Sequence, residues 1–167
     1  MKNIKKLCLT ALFTAIVCLV TRFIQIPIPL GYFNIGNCVI ITFCCLIECP
    51  YGIIIGSVGA ALADLISFPE WTIPTLIIKA LMTGLFYLIV SVPHKKKYLF
   101  NMIAGAVSML IPVPGYVLAG SIIYGSFATG LTQTPGLILE YVANVVLFAV
   151  LLLAVDKSGI RKLLRTE

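Results

Sequence analysis

From Tyr98 to Leu139 the chain runs for 42 residues without one charged side chain. No soluble domain hides such a run. It is also too long for one straight crossing of a bilayer, which takes roughly 20 helical residues. The rest of the 167-residue chain is built alike, with 11% charged and 60% apolar residues. Soluble domains carry roughly 25% charged and about 45–50% apolar residues. This composition excludes a soluble globule, a disordered chain, a collagen-like repeat and a secreted disulfide scaffold. What remains is an all-α integral membrane protein with almost nothing outside the bilayer.

The uncharged runs predict six spans in one domain covering 1–167, at about 7–24, 36–47, 51–66, 74–92, 99–127 and 135–155. Pro27 and Pro29 break the chain after the first span. Glu48–Gly52 reads as a tight turn, and Ser67–Ile73 as a loop. Pro74 suits a first helical position, where its missing N–H costs nothing. Pro112, Pro114 and Gly115 distort the fifth span, and Ala128–Pro135 reads as turn material. Six spans put both termini on one side. That side holds Lys2, Lys5, Lys6, Lys95, Lys96, Lys97, Lys157, Arg161, Lys162 and Arg165, ten of the twelve basic residues. The positive-inside rule therefore places both termini in the cytoplasm. The net charge of +6 is then explained by loops beside anionic lipid, without nucleic acid. Met1–Lys6 imitates a signal peptide, but no small-x-small site and soluble domain follow, so the first span is read as uncleaved. No strong repeat relates the two halves, which disfavours an inverted-repeat carrier.

Charge inside a span costs roughly 2.5–3.5 kcal/mol at the bilayer centre on insertion scales, so each case needs a reason. Asp64 in span 3, Lys79 in span 4 and Glu140 in span 6 all fall about 5–8 Å below the outer interface at 1.5 Å per residue. Asn144 extends the stripe one turn below Glu140. Tyr116, Gly120 and Tyr124 share one face of span 5. The first outer loop adds Asn34 and Asn37. Two readings of Asp64 and Lys79 stand side by side: an ion pair that fixes the span 3–4 hairpin, or ligand contacts. Glu140 and Asn144 read as ligand-lining, because only Arg22 is left as a basic partner. Trp71 reads as an interface anchor or as part of a loop closing over a ligand. Glu48 reads as solvated at the inner interface, and His94 as a solvated loop residue. Six cysteines without a CxxC, and a single histidine, predict packing rather than zinc binding. No metal or other cofactor is expected.

Ala11 and Ala15, one turn apart in span 1, allow close approach of another helix, within the chain or on another subunit. The stripe Gly52, Gly56 and Ala60, with Gly59 and Ala63 beside it, reads as internal packing. No GxxxxGK[ST], HExxH or GxSxG occurs, and no nucleophile has a base at its depth, so no enzyme activity is expected. A channel lines its whole thickness with polar groups. Here they gather near the outer surface, which suits capture of a solute from outside. A stand-alone secondary transporter or channel, and a membrane enzyme, are the other classes left open.

Taken in order, Gly31–Asn37, Ala60–Leu65, Pro74–Met82 and Pro114–Tyr116 resemble the substrate-binding S components of energy-coupling factor (ECF) vitamin transporters. The resemblance covers essentially the whole chain and is closest to the hydroxymethylpyrimidine-, pyridoxine- and riboflavin-type members. Asn37 stands where many such proteins carry an acidic residue. Leu137–Glu140 replaces an Asn-x-x-Gln-like stretch. The resemblance implies a multi-pass protein of the bacterial plasma membrane that binds a vitamin at its outer end. It implies as partners a transmembrane coupling subunit, docked on Ala11 and Ala15, and two cytoplasmic ATPase subunits. Toppling of the S component would release the vitamin inside. The expected ligand is hydroxymethylpyrimidine or pyridoxine, with riboflavin behind. The expected contacts are Asn34, Asn37, Asp64, Trp71, Lys79, Tyr116, Tyr124, Glu140 and Asn144.

Overall fold

Helix accounts for most of the described residues. The computed structural model describes residues 2–28, 31–92 and 97–158. The expected basic loop at 93–96 and the basic tail beyond Ser158 lie outside the described residues. Helix α1 covers Lys2–Phe23, α2 Gly36–Leu46, α3 Tyr51–Ser67 and α4 Thr72–Val90. Helix α5 covers Lys97–Ser108, α6 Pro112–Ile123, α7 Phe127–Leu131 and α8 Thr134–Ser158. Among the described residues, four helical segments are long and apolar enough to cross a membrane: Ile4–Phe23, Pro69–Val90, Tyr98–Ile123 and Phe127–Ser158. Helices α2 and α3 are apolar but shorter, with 11 and 17 residues.

Pro27 does more than break a helix. Strands β1 (Gln25–Ile28) and β2 (Gly31–Asn34) pair antiparallel, with Gln25 opposite Asn34 and Pro27 opposite Tyr32. A two-stranded ribbon has only edges, so a proline whose missing N–H faces outward is tolerated there. The hairpin lies over one end of the helical bundle, called below the hairpin end.

The expected fifth span also changes shape. Pro112 and Pro114 cannot donate to the carbonyls of Ser108 and Leu110, so the α-helical ladder lapses. Three-residue turns fill the gap, with Leu110 N on Val107 O (3.2 Å) and Ile111 N on Ser108 O (3.1 Å). The segment then ends at Ile123 rather than Phe127. Gly125 adopts φ +68°, a left-handed stop that favours glycine. Ser126 caps the short α7 by accepting from Thr129 N. Trp71 closes a 3₁₀ turn, Pro69–Trp71, and α4 starts at Thr72, two residues before Pro74.

Away from the hairpin the helices meet through apolar side chains. Ile40, Ile41, Ile55, Met82, Phe86, Phe148 and Leu152 are buried there. Glycines on α3 permit the closest approaches. A Cβ on Gly59 would lie 2.9 Å from Thr14 O and from Val17 of α1. A Cβ on Gly56 would lie 2.7 Å from Ile40 and from Thr83. Small residues at such spacing are how helices associate where lipid removes the hydrophobic drive between them. The face of α1 that meets α3 therefore carries Thr14 and Val17. Ala11 and Ala15 lie on its exposed side.

Candidate functional site

At the hairpin end α2, α4 and α8 meet through polar side chains. Asn37, in the first turn of α2, donates from Nδ2 to Glu140 Oε1 (3.0 Å) and accepts at Oδ1 from Lys79 Nζ (2.5 Å). One carboxamide thus bridges an ammonium and a carboxylate that are only 2% and 3% exposed. Burying either charge alone costs several kcal/mol, roughly, after relaxation. Bridging them through a dipole oriented to both offsets that cost. An aspartate at 37 would instead set two carboxylates against one ammonium. In this chain Glu140 supplies the carboxylate from α8.

Asn144, one turn along α8, uses both ends of its amide. Its Oδ1 accepts from Cys38 N (2.9 Å), one of the N–H groups that the start of α2 leaves without a helical partner. Its Nδ2 donates to Asn34 O (2.8 Å) and to Glu140 O (2.9 Å). Asn34 turns the chain into α2 by accepting from Gly36 N (2.7 Å), and its Nδ2 lies 3.5 Å from Glu140 Oε1. The hairpin, the α2 start and α8 are therefore tied into one unit.

Asp64 and Lys79 take separate partners, and among the described residues no ion pair joins them. Asp64 accepts a hydrogen bond from the Tyr32 hydroxyl of the hairpin. Burial, and then the Asp64 carboxylate beside it, hold that phenol above its ordinary pKa, so it remains the donor. Tyr32 also stacks on Phe68, with centroids 5.4 Å apart. The physical reason for the difference from the ion-pair expectation is the hairpin. It supplies a hydroxyl for Asp64, while α2 supplies an amide for Lys79.

The aromatic residues gather beside this network. Trp71 is 5% exposed, so it is a buried residue rather than an interface anchor. Its ring lies 5.8 Å from that of Tyr116 and 6.2 Å from that of Tyr124. Lys79 Nζ lies 5.2 Å from the Tyr116 ring centroid, within cation–π range. Thr75 Oγ1 and the Tyr116 hydroxyl are hydrogen-bonded at 3.1 Å. Tyr124 lies just past α6 and is 41% exposed.

The structure thus brings Asn34, Asn37, Lys79, Glu140 and Asn144 into one network. Trp71, Tyr116 and Tyr124 form an aromatic cluster beside it, and Asp64 is held by the hairpin. Ala11 and Ala15 lie apart on α1, and Glu48 meets Lys6 at the opposite end (2.8 Å). Sequence reasoning passed over Tyr32 and Thr75. Tyr32 sits between Gly31 and Asn34, in a segment already singled out. Thr75 precedes Lys79 by four residues and so shares its helix face. Among the described residues no cluster of three or more His, Cys, Asp or Glu is placed to hold a metal ion. The Lys79 ammonium carries three hydrogens and has one hydrogen-bond partner among the described residues, Asn37. Charged donor, carboxylate, amides and flat rings thus gather at the hairpin end.

Residues 1–157 match the family described as "ECF-type riboflavin transporter, S component". A protein of Pyrococcus woesei described as "Uncharacterized protein in gap 3'region" is 33% identical over 110 residues, 63% of this chain and 71% of that protein.

Proposed function

The chain belongs to the family of ECF-type riboflavin transporter S components, and from that premise we propose that its hairpin end captures a flat, nitrogen-containing vitamin. Members of this family are multi-pass membrane proteins that bind a small vitamin for an ECF module, and they are not enzymes. In our reading the chain crosses the plasma membrane six times, with both termini in the cytoplasm and the hairpin outside. The vitamin rings lie against Trp71 and Tyr116. Lys79 and Glu140, held by Asn37, meet the polar edge of the rings. The family description favours riboflavin as ligand; hydroxymethylpyrimidine and pyridoxine are the smaller candidates.

The observation that carries this reading is Lys79. Its ammonium is buried beside aromatic rings, bridged through Asn37 to Glu140, with N–H groups left for a ligand. Such a polar group inside a bundle is expensive and is kept where function uses it.

Trp71 is the sole tryptophan, so its fluorescence reports on the site directly. Purified protein titrated with riboflavin, hydroxymethylpyrimidine and pyridoxine is expected to show saturable quenching with one of them. Isothermal titration gives the stoichiometry. No saturable change with any of the three would overturn the reading. Docking of the coupling subunit on the exposed Ala11–Ala15 face has its own test. Ala15→Trp is expected to abolish ATP-dependent vitamin uptake while leaving the affinity seen by isothermal titration unchanged. Normal uptake by this variant would remove α1 from the docking role.

A further inference from the structure

Four buried side-chain polar atoms lack a hydrogen-bond partner among the described residues: Thr21 Oγ1, Thr72 Oγ1, Gln133 Nε2 and Thr134 Oγ1. All four lie at the hairpin end. Thr21 is in the last turn of α1, Thr72 begins α4, and Gln133 and Thr134 join α7 to α8. Buried polar groups in folded proteins are paired as a rule, so a cluster of exceptions at one end calls for an explanation.

Gln133 is the most constrained of them. It is 3% exposed. Its backbone is fully engaged, with its N on Gly130 O (3.3 Å) and its O accepting from Leu137 N (3.0 Å). Helix α7 packs hard on α6, because a Cβ on Gly130 would lie 2.6 Å from Val117 O. That packing lays the Gln133 carboxamide in the notch left by Gly120, where a Cβ would collide with Nε2. The same notch is walled by Trp71, whose Cη2 lies 3.3 Å from that Cβ position. The unpaired N–H donor therefore sits beside the indole, on the α6–α8 side of the aromatic cluster. Lys79, by contrast, lies 5.2 Å from the Tyr116 ring centroid and reaches Glu140 through Asn37.

We propose that the Gln133 carboxamide is a ligand contact. Its Nε2 donates to an acceptor, a carbonyl oxygen or an unprotonated ring nitrogen, on the edge of a heterocycle lying against Trp71. This rests on the reading that the hairpin end binds a vitamin, and it adds a second point of recognition. Lys79 and Glu140 read one edge of the ring, and Gln133 reads another.

The test uses the full chain, with whichever of riboflavin, hydroxymethylpyrimidine and pyridoxine saturates the wild type. Gln133→Leu removes the donor. Gln133→Glu keeps the shape and replaces the donor with an acceptor. Both are expected to weaken binding by at least about tenfold, since a hydrogen bond in a buried site is lost. The melting temperature of the ligand-free Gln133→Leu protein is expected to stay level or rise, because a buried unpaired donor is gone. Gly120→Ala, which displaces the amide, should weaken binding in the same direction. If the wild type binds and both Gln133 variants bind equally well, this inference fails and the proposed function stands. A fall in ligand-free melting temperature with unchanged affinity would mark Gln133 as structural and also overturn it. A wild type that binds none of the three would overturn both.

Discussion

The two ends of the bundle use the same helices for opposite purposes. On α8 the buried stripe runs Glu140, Asn144, Phe148, Leu152, one residue per turn. The first two residues are polar and reach the hairpin and α2. The next two are apolar and sit in the core. Helix α4 changes from Thr75 and Lys79 to Met82 and Phe86, and α2 from Asn37 to Ile41 and Cys44, while the buried Thr83 and Thr42 hydroxyls donate within their own helices to Lys79 O and Cys38 O. Among the described residues, all four unpaired buried side-chain polar atoms fall at the hairpin end. The comparison teaches that close apolar packing and buried polar networks are divided along the helix axes. The apolar half holds the helices by close packing, which matters most where lipid is as apolar as the core. The polar half bears desolvation costs that packing alone does not require, and it faces the end where a solute enters in our reading.

If that division is real, the two halves respond differently to substitution. Lys79→Met leaves Glu140 buried without its compensating cation. We expect a loss of about 3–5 kcal/mol, read as a lower thermal midpoint in detergent, and loss of vitamin binding. Lys79→Met combined with Glu140→Leu should recover most of the stability and none of the binding. Equal stability of the single and double variants would show that the two charges are not coupled through Asn37. Phe148→Ala, in the apolar half, should cost about 3 kcal/mol of stability through the cavity beside Gly105. Below its melting temperature it should bind the vitamin normally, and a matching fall in affinity would merge the two halves. Asn144→Ala sits at the boundary. It unpairs Cys38 N and Asn34 O and should cost about 1–3 kcal/mol. Part of that should appear as weaker binding, because the hairpin loses its tie to α8. At the far end, Lys6→Gln breaks the exposed contact with Glu48. No measurable change in midpoint or affinity is expected, as for most exposed ion pairs.

Much of the site was legible before any coordinates. The level of Asp64, Lys79 and Glu140 followed from counting 1.5 Å steps from the nearest helix breaker, and Asn144 followed from the helical repeat. The shared face of Tyr116 and Tyr124 followed the same way, and both rings do meet Trp71. Pairing was not legible. Asp64 and Lys79 stood at matching depth on consecutive spans, yet each found a partner elsewhere, because depth says nothing of azimuth. Tyr32 was invisible as a partner for Asp64, since Pro27 and Pro29 read as breaks and a four-residue ribbon has too short a period to register. Gln133 was missed because Ala128–Pro135 reads as turn material, whereas α7 folds that stretch back onto α6.

The order of charges along the chain was enough to establish a membrane protein of apolar helices, to separate three basic clusters from three buried ionisable residues, and to put those three near one level. These are properties of single helices, set by composition and by a fixed rise per residue. Side-chain partnership was settled by packing. It depended on how close Gly56 and Gly59 let α3 approach its neighbours, on where the hairpin lies over the bundle end, and on which way α7 turns. Each is a distance between segments far apart in the chain. That is why Asn37 comes to stand between Lys79 and Glu140, and Tyr32 against Asp64, with no local signal to announce either contact.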